Sequence, residues 1–390
     1  PAVIDWAASF ETAPGAGDGQ FEVVTGGDPV IFDYDGNQRI GVELEYGLVS
    51  MFDFVHLEGS IGFEQGPQML VDLGTGVPGN LASTFQTVVG DPFNLIDPSV
   101  RGSAMVTNNG GTITDVDVAG WMIGGSGISG YIGTGIDTSG LTAPLDTADR
   151  PLADLLAATD AADLFGFGVT GVDFGAAVYD PTINDFLEAA GIPTIPSFTA
   201  ARATADTIDV YTGAYDFLRV EGRGLELKLN NGDNWELLGV PEFGPAVIDW
   251  ATSFETAPGL GDGQFEVVTG GDPVIFDYDG NQRIGVELEY GLVSMFDFVH
   301  LEGAIGFEQG PQMLVDLGTG VPGNLASTFQ TVVGDPFNLI DPSVRGSAMV
   351  TNNGGTITDV DVAGWMIGGS GISGYIGTGI DTSSLTAPLD

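Results

Sequence analysis

The side chains of this chain that could do chemistry are overwhelmingly carboxylates: 54 Asp and Glu stand against nine Lys and Arg and two His in 390 residues. Oxygen ligands in that number suit a hard cation. The stretch Asp33-Tyr-Asp35-Gly-Asn37 brings three oxygen-bearing side chains in alternation into a turn, and it returns as Asp277, Asp279 and Asn281. Calcium, which takes roughly six to eight oxygens, is the one cofactor these residues suggest. Their order departs from that of an EF-hand loop, which wants glycine at its sixth position and a bidentate Glu at its twelfth. A plain hairpin turn also uses Asp and Asn, for its own backbone chemistry. Metal site and plain turn therefore stand side by side as expectations.

The remaining motifs select no catalyst. Gly74-Thr-Gly76-Val-Pro-Gly79 matches the dinucleotide fingerprint, but a fingerprint must open a helix whose N-terminus holds the pyrophosphate. The β-branched Thr84, Thr87, Val88 and Val89 that follow oppose one. His56 and His300 are the same position in two copies of one sequence, so neither a His-dependent triad nor a His-cluster metal site is available within a copy. Ser126 and Ser129 lie among glycines without the spacing of a nucleophile elbow. Gly124-Gly-Ser-Gly127 opens like a calcium-binding nonapeptide but lacks its Asp and its period. A glycosidase needs only two carboxylates, and nothing here selects a pair. The chain reads as a non-enzyme.

The elements that must position these groups are strands. Arg39–Leu48 alternates Ile40, Val42, Leu44, Tyr46 and Leu48 with Glu43 and Glu45, the period-two signature. Met51–Glu64 places Met51, Val55, Leu57, Ile61 and Phe63 on one face. The other face carries Phe52, Phe54, His56, Glu58 and Glu64 and begins too apolar to be solvated, so a cover over Phe52 and Phe54 is expected. Gln20–Thr25, Pro29–Asp33, Gln68–Leu73, Phe167–Tyr179, Ile208–Val220 and the alternating Leu225, Leu227 and Leu229 also read as strands, and Asn108–Gly111 as a hairpin turn. Leu152, Leu155 and Leu156 after Asp149 and Pro151 predict a helix near 150–163, and a shorter one runs from Asn184 to Gly191. The class is all-β with one or two short helices per repeat.

That repeat is the dominant feature of the chain. Residues 1–146 return as 245–390 with four differences, Ala8/Thr252, Ala16/Leu260, Ser60/Ala304 and Gly140/Ser384, while 147–244 occurs once. The chain therefore holds a first unit, 1–244, made of the duplicated 1–146 and the single-copy 147–244, and part of a second, 245–390. Periods of this kind belong to stacked or strung copies. The expected architecture is an elongated rod of mainly antiparallel β modules, sandwich-like or wound as a solenoid, with neighbouring copies as the first partner. Close packing in such an array makes volume changes costly. Exposed loops are thus expected for Ala16/Leu260 and Gly140/Ser384, and strand surfaces away from any core for Ala8/Thr252 and Ser60/Ala304.

Composition bounds the partners. A net charge of −45 combined with 43% hydrophobic residues excludes an acidic disordered tail and argues against nucleic acid and anionic lipid surfaces. No cysteine is present, so there is neither a disulfide framework nor a thiolate metal site. No apolar run approaches the ~18 residues of a membrane helix, and no membrane span is expected. An outer-membrane barrel has the right alternation, but near-identical tandem copies have no obvious place in one. An anionic skin suits a saline exterior, where screening lengths fall to roughly 10 Å or less.

Ile208–Asn230, with its Leu-Arg-Val-Glu-Gly-Arg-Gly-Leu-Glu-Leu-Lys-Leu-Asn ending, resembles repeats of very large surface or secreted repetitive proteins of marine and environmental bacteria. So do Gly168-Val-Thr-Gly-Val-Asp-Phe-Gly-Ala-Ala-Val and Phe54–Phe63. The resemblance implies an extracellular, cell-surface or secreted, adhesin-like or filament-forming protein and carries over no catalytic residue. The expected function is thus an extracellular structural or adhesive rod. The alternative is a carbohydrate-binding or carbohydrate-active array with a polysaccharide partner, in which Trp6, Trp121 and Trp235 line an open groove rather than lie buried between sheets.

Overall fold

The computed structural model describes residues 40–73, 116–143, 149–182, 194–233, 247–254, 265–309 and 364–378 apart from short gaps. It describes the backbone alone for short strands at 21–23, 30–32, 107–109, 112–114, 235–237, 240–243, 313–317, 351–353 and 356–362. The elements that concern the site are β1 (Ile40–Met51), β2 (Val55–Gln65), β3 (Met69–Leu73), β4 (Val116–Thr134), α1 (Pro151–Ala158), β5 (Phe165–Pro181), β6 (Phe198–Thr212) and β7 (Leu218–Gly232). They continue as β8 (Ile248–Asp249), α2 (Trp250–Ser253), β9 (Phe265–Val267), β10 (Val274–Phe276), β11 (Arg283–Met295), β12 (Val299–Gln309) and β13 (Trp365–Ile376). The structure is mostly antiparallel β, as the alternation predicts. The helix at Leu152–Leu156 ends at Ala158, short of residue 163, because the Asp160 carboxylate accepts the Ala162 N–H and folds the chain into a turn.

One open sheet carries the long strands in the order β1-β2-β4-β5-β6-β7-β11-β12-β13, each antiparallel to the next. β3 pairs with Val116–Val118 at the start of β4, and β8 pairs with β3. The duplicated strands keep their register: Ile40↔Gln65 recurs as Ile284↔Gln309, and Val55↔Ile132 as Val299↔Ile376. Single-copy β5, β6 and β7 stand between the two sets. β7 then pairs with β11 from Leu218↔Met295 to Asn230↔Arg283, so the hydrogen-bonded ladder crosses from one unit into the next without interruption.

Strict alternation fails at one level of the sheet. Register shifts occur between Leu44 and Gly47, Glu58 and Ser60, Gly125 and Ile128, Leu288 and Gly291, and Glu302 and Ala304. A bulge sets two residues against one and bends the strand, so a level row of bulges creases the whole sheet. Gly127 and Gly171 lie in this row at φ 55° and 61°. A side chain there would be strained, and its Cβ would stand 2.6 Å from the Arg150 guanidinium or 2.1 Å from the Asp206 carboxylate. The bulge also moves Tyr46 off the face of Ile40, Val42 and Leu44, where parity alone places it: its hydroxyl donates to Glu58 Oε2 at 2.8 Å.

Cross-strand partners share a face, and the two faces differ completely. One row reads Val42, Phe63, Ile123, Ala176, Ala201, Leu229, Ile284. A row on the opposite face reads His56, Tyr131, Gly168, Asp209, Glu221, Leu292, Glu302. The second face is the covered one. Near one end, Trp250, Phe265, Phe276 and Tyr278 from α2 and the β9–β10 hairpin pack on Met122, Ala177, Tyr179, Phe198 and Ala200. Near the other, Leu152 and Leu156 of α1 pack with Leu164 on Tyr131.

Two expectations are corrected. Among the described residues nothing covers Phe52 and Phe54: in the turn between β1 and β2, Phe52 is 97% exposed and Phe54 about half exposed. Ser60 is buried rather than superficial, donating to the Ser126 carbonyl at 2.9 Å and sharing a hydrogen bond with its hydroxyl. In the second copy the counterpart of Ser126, Ser370, is exposed, and Ala304 stands where Ser60 does. Gly140 is exposed as expected, while Ala8, Ala16, Leu260 and Ser384 lie outside the described residues.

Candidate functional site

β2 lays His56, Glu58, Ser60 and Glu64 on the covered face and turns Leu57, Ile61 and Phe63 outward, the inverse of a strand in a water-soluble sheet. Glu58 is 1% exposed. Its Oε1 accepts the Ala153 N–H at 2.9 Å, and its Oε2 accepts the Leu152 N–H at 3.0 Å and the Tyr46 hydroxyl. Arg150, the N-cap of α1, makes no side-chain cap, so Glu58 supplies from a distant strand the acceptor and negative charge that the first turn of a helix wants. Burial and the hydrogen bond to Glu58 push the Tyr46 hydroxyl far above its ordinary range. The Arg150 guanidinium lies 5.6 Å over the Tyr46 ring. His56 bonds Ser50 through Nδ1 at 2.9 Å and stacks on Tyr131, a structural role.

Further along the same face runs a ladder of ion pairs. Arg202 and Lys228 both reach Glu226, at 2.9 and 2.7 Å, Arg223 reaches Asp209 at 3.0 Å, and Arg283 reaches Glu308 at 3.2 Å. Burial raises the Asp209 carboxyl, and Arg223 draws it back only part of the way. For Glu226 burial also pushes upward, but Lys228 and Arg202 outweigh it and hold the carboxyl below its ordinary range. A depressed carboxyl contributes stability above its unfolded pKa of about 4 and loses it as pH falls through the folded value. Lys228→Met is therefore expected to lower Tm at neutral pH and to match the unsubstituted chain once Glu226 is protonated. A gap that persists in acid would assign the effect to the lysine stem and not to its charge.

All six cations among the described residues, Arg150, Arg202, Arg219, Arg223, Lys228 and Arg283, stand on this face or against what covers it. Among the described residues with a cross-strand partner, the other face carries no charged side chain between its end rows. Across nine strands at ~4.8 Å spacing it amounts to roughly 1,000 Å², well beyond the few hundred Å² usual for a soluble monomer. Aromatic side chains border it. Phe52, Phe54, Phe165, Phe167, Phe217, Phe296 and Phe298 are exposed at the end of the short turns, and Phe63, Trp121 and Trp365 at the other. Phe52 and Phe296 adopt φ of 56° and 54°, a conformation costly for a bulky residue, and both present their rings outward.

Of the predicted cation ligands, Asp33, Asp35, Asn37 and Asp279 lie outside the described residues. Asp277 is exposed, and Asn281 gives its backbone carbonyl to Asn230 Nδ2 at 3.1 Å. Tyr278 between them is buried, with its hydroxyl on the Ala201 carbonyl. Among the described residues no group of three or more His, Asp and Glu is placed to hold a metal ion. Gly74–Gly79 is outside them too. Trp6 and the side chain of Trp235 lie outside the described residues; Trp250, the counterpart of Trp6, is buried in the cap, and Trp121 lies on the apolar face. The anchoring of α1 by Glu58 and the segregation of the cations are the features that motif reading misses. The parity of Arg219, Glu221 and Arg223 along β7 was the available signal for the second, and it is broken at Gly224, whose φ is 60°. No protein-family model, no curated protein and no solved structure matches this chain.

Proposed function

We propose that this sheet is a membrane-embedded wall, structural and not catalytic, whose apolar face contacts the acyl chains of a bilayer while its charged face borders water. The observation that carries the reading is the inverted alternation of β2 and its repetition across the sheet. The depth fits. Eleven residues, Val55–Gln65, span about 33 Å along the strand, or about 25 Å at a tilt of about 40°, the height of the apolar band of outer-membrane barrels. Aromatic belts at both ends belong to the same pattern, as do the short turns β1–β2, β6–β7 and β11–β12 gathered at one end, where the α1-bearing connection from β4 to β5 is a long exception. From β2 to β12 the backbone groups are paired strand to strand, and the edges β1 and β13 would have to be paired as well to meet the condition for β structure in hydrocarbon. No helix of the described residues is long and apolar enough to cross a membrane, which bears on helices alone. The tandem copies, which spoke against a barrel, fit once β7 joins β11 and two units become one sheet.

The test is tryptophan quenching by lipids brominated in their acyl chains. Emission from Trp121 and Trp365, exposed on the apolar face, should be strongly quenched in such vesicles, and the double Trp→Phe variant at these positions should lose most of that quenching. Unquenched emission, with the chain recovered free of vesicles, would overturn the reading.

A second reading, the extracellular rod or filament of 244-residue units, is favoured by the same β7·β11 joint. Each unit would add six strands, about 29 Å of sheet, and a second sheet would then have to cover the apolar face. Regular filaments formed in detergent-free buffer and seen by negative stain would select this reading over the first.

A further inference from the structure

We infer that β1 and β13 are joints awaiting a neighbour: β13 takes the β5 strand, and β1 the β7 strand, of a further copy of the 244-residue unit on the same polypeptide, so that the sheet grows in steps of six strands. The chain itself shows each joint made and unmade. β11 has the sequence of β1, and β7 pairs along its full length. β13 has the sequence of residues 121–132 of β4, which β5 pairs. Side chains follow the pairing. In β4, Met122 is 5% and Tyr131 0% exposed, whereas Met366 and Tyr375 in β13 are 49% and 38% exposed, and every residue of β13 is exposed.

A second observation comes from the covered face. In the first copy α1 sits over His56, Glu58 and Tyr131 and seats its first turn on Glu58. In the second copy the counterparts His300, Glu302 and Tyr375, with Ser373, line a cavity of about 180 Å³. Tyr290 donates to Glu302 at 2.9 Å as Tyr46 does to Glu58, so the carboxylate is held in the same place in both copies. α1 and β5 are consecutive in the single-copy segment, so one further segment would fill cavity and edge together. A free second copy of this chain offers no such strand, because its β5 and β7 are already paired on both sides. The partner must therefore arrive in tandem. If the sheet closes into a barrel, it does so with strands in multiples of six.

This inference shares the sheet with the proposed function but does not need the membrane. The experiment lengthens the full chain by a second copy of residues 147–244 after Asp390 and follows hydrogen exchange of residues 365–376 in detergent micelles. Exchange there should slow to the rate of residues 121–132 in a species that remains monomeric by sedimentation, and Glu302→Ala should become as destabilising as Glu58→Ala. Prolines at the counterparts of Ala176 and Ala177 in the added segment, which block bonding toward either side, should restore fast exchange. Unchanged exchange in the lengthened chain overturns the inference. Protection of residues 365–376 in an oligomer of the 390-residue chain also overturns it, in favour of strand exchange between molecules. Lipid quenching is read separately, so a protected β13 without quenching refutes the membrane reading and leaves the joint standing.

Discussion

Leu227→Arg is expected to cost about 2–4 kcal/mol when the chain unfolds from vesicles, and Met295→Arg only about 0–1 kcal/mol. Both residues are exposed and lie on the apolar face. Leu227 is partnered by Ala203 and Val286 near mid-depth, whereas Met295 is partnered by Leu218 at the level of the short turns. In hydrocarbon a guanidinium at mid-depth has no water to reach, while one near the boundary extends its stem and puts its charge among the headgroups. On a surface facing water both changes would stay within about 0.5 kcal/mol. On a face covered by a second protein sheet both would leave an unpaired buried charge and cost alike. The gradient with depth is therefore the signature, read from denaturant titrations of the two variants in lipid. Equal costs would exclude the bilayer.

The sequence made the strands legible because each is long enough for alternation to rise above chance: Ile40, Val42 and Leu44 locate β1, and Leu57, Ile61 and Phe63 belong to β2. It did not disclose the side that faces water. Alternation sorts residues into two faces, and a soluble sheet and a membrane sheet differ only in which face is covered. Parity was also lost at the crease. Glu45-Tyr46 contains no glycine to announce the bulge that sends Tyr46 to Glu58. Leu152, Leu155 and Leu156 gave away α1, yet the acceptor of its first turn lies 94 residues earlier in the chain, a separation no local pattern spans. Ser60 shows the same limit. A difference between copies suggests exposure, but burial there depends on the turn of the β9–β10 hairpin, where Gly271 packs against Ser60 and Ser126, a contact no pattern local to Ser60 announces.

Glu58→Ala should release α1, and the duplicated chain supplies its own control. Removing the carboxylate leaves the Leu152 and Ala153 N–H groups of a first turn without an acceptor, together with the Tyr46 hydroxyl. Hydrogen bonds to a charged group contribute about 1.5–3 kcal/mol each and are not additive. Deletion also relieves the cost of burying a carboxylate. The net loss is expected at about 2–4 kcal/mol, with fast hydrogen exchange across residues 151–158. Glu58→Gln, which keeps one acceptor oxygen, should recover part of it. Glu302→Ala removes the same residue where, among the described residues, Tyr290 donates to it and no helix is seated on it, and its cost should be smaller by more than half. Tyr290 is pushed up to about 12 by burial first and Glu302 next, so in that variant one tyrosine should ionise at lower pH in a spectrophotometric titration. If Glu58→Ala and Glu302→Ala cost the same and α1 stays protected in both, the buried carboxylate does not seat the helix, and the packing of Leu152 and Leu156 on Tyr131 holds it instead.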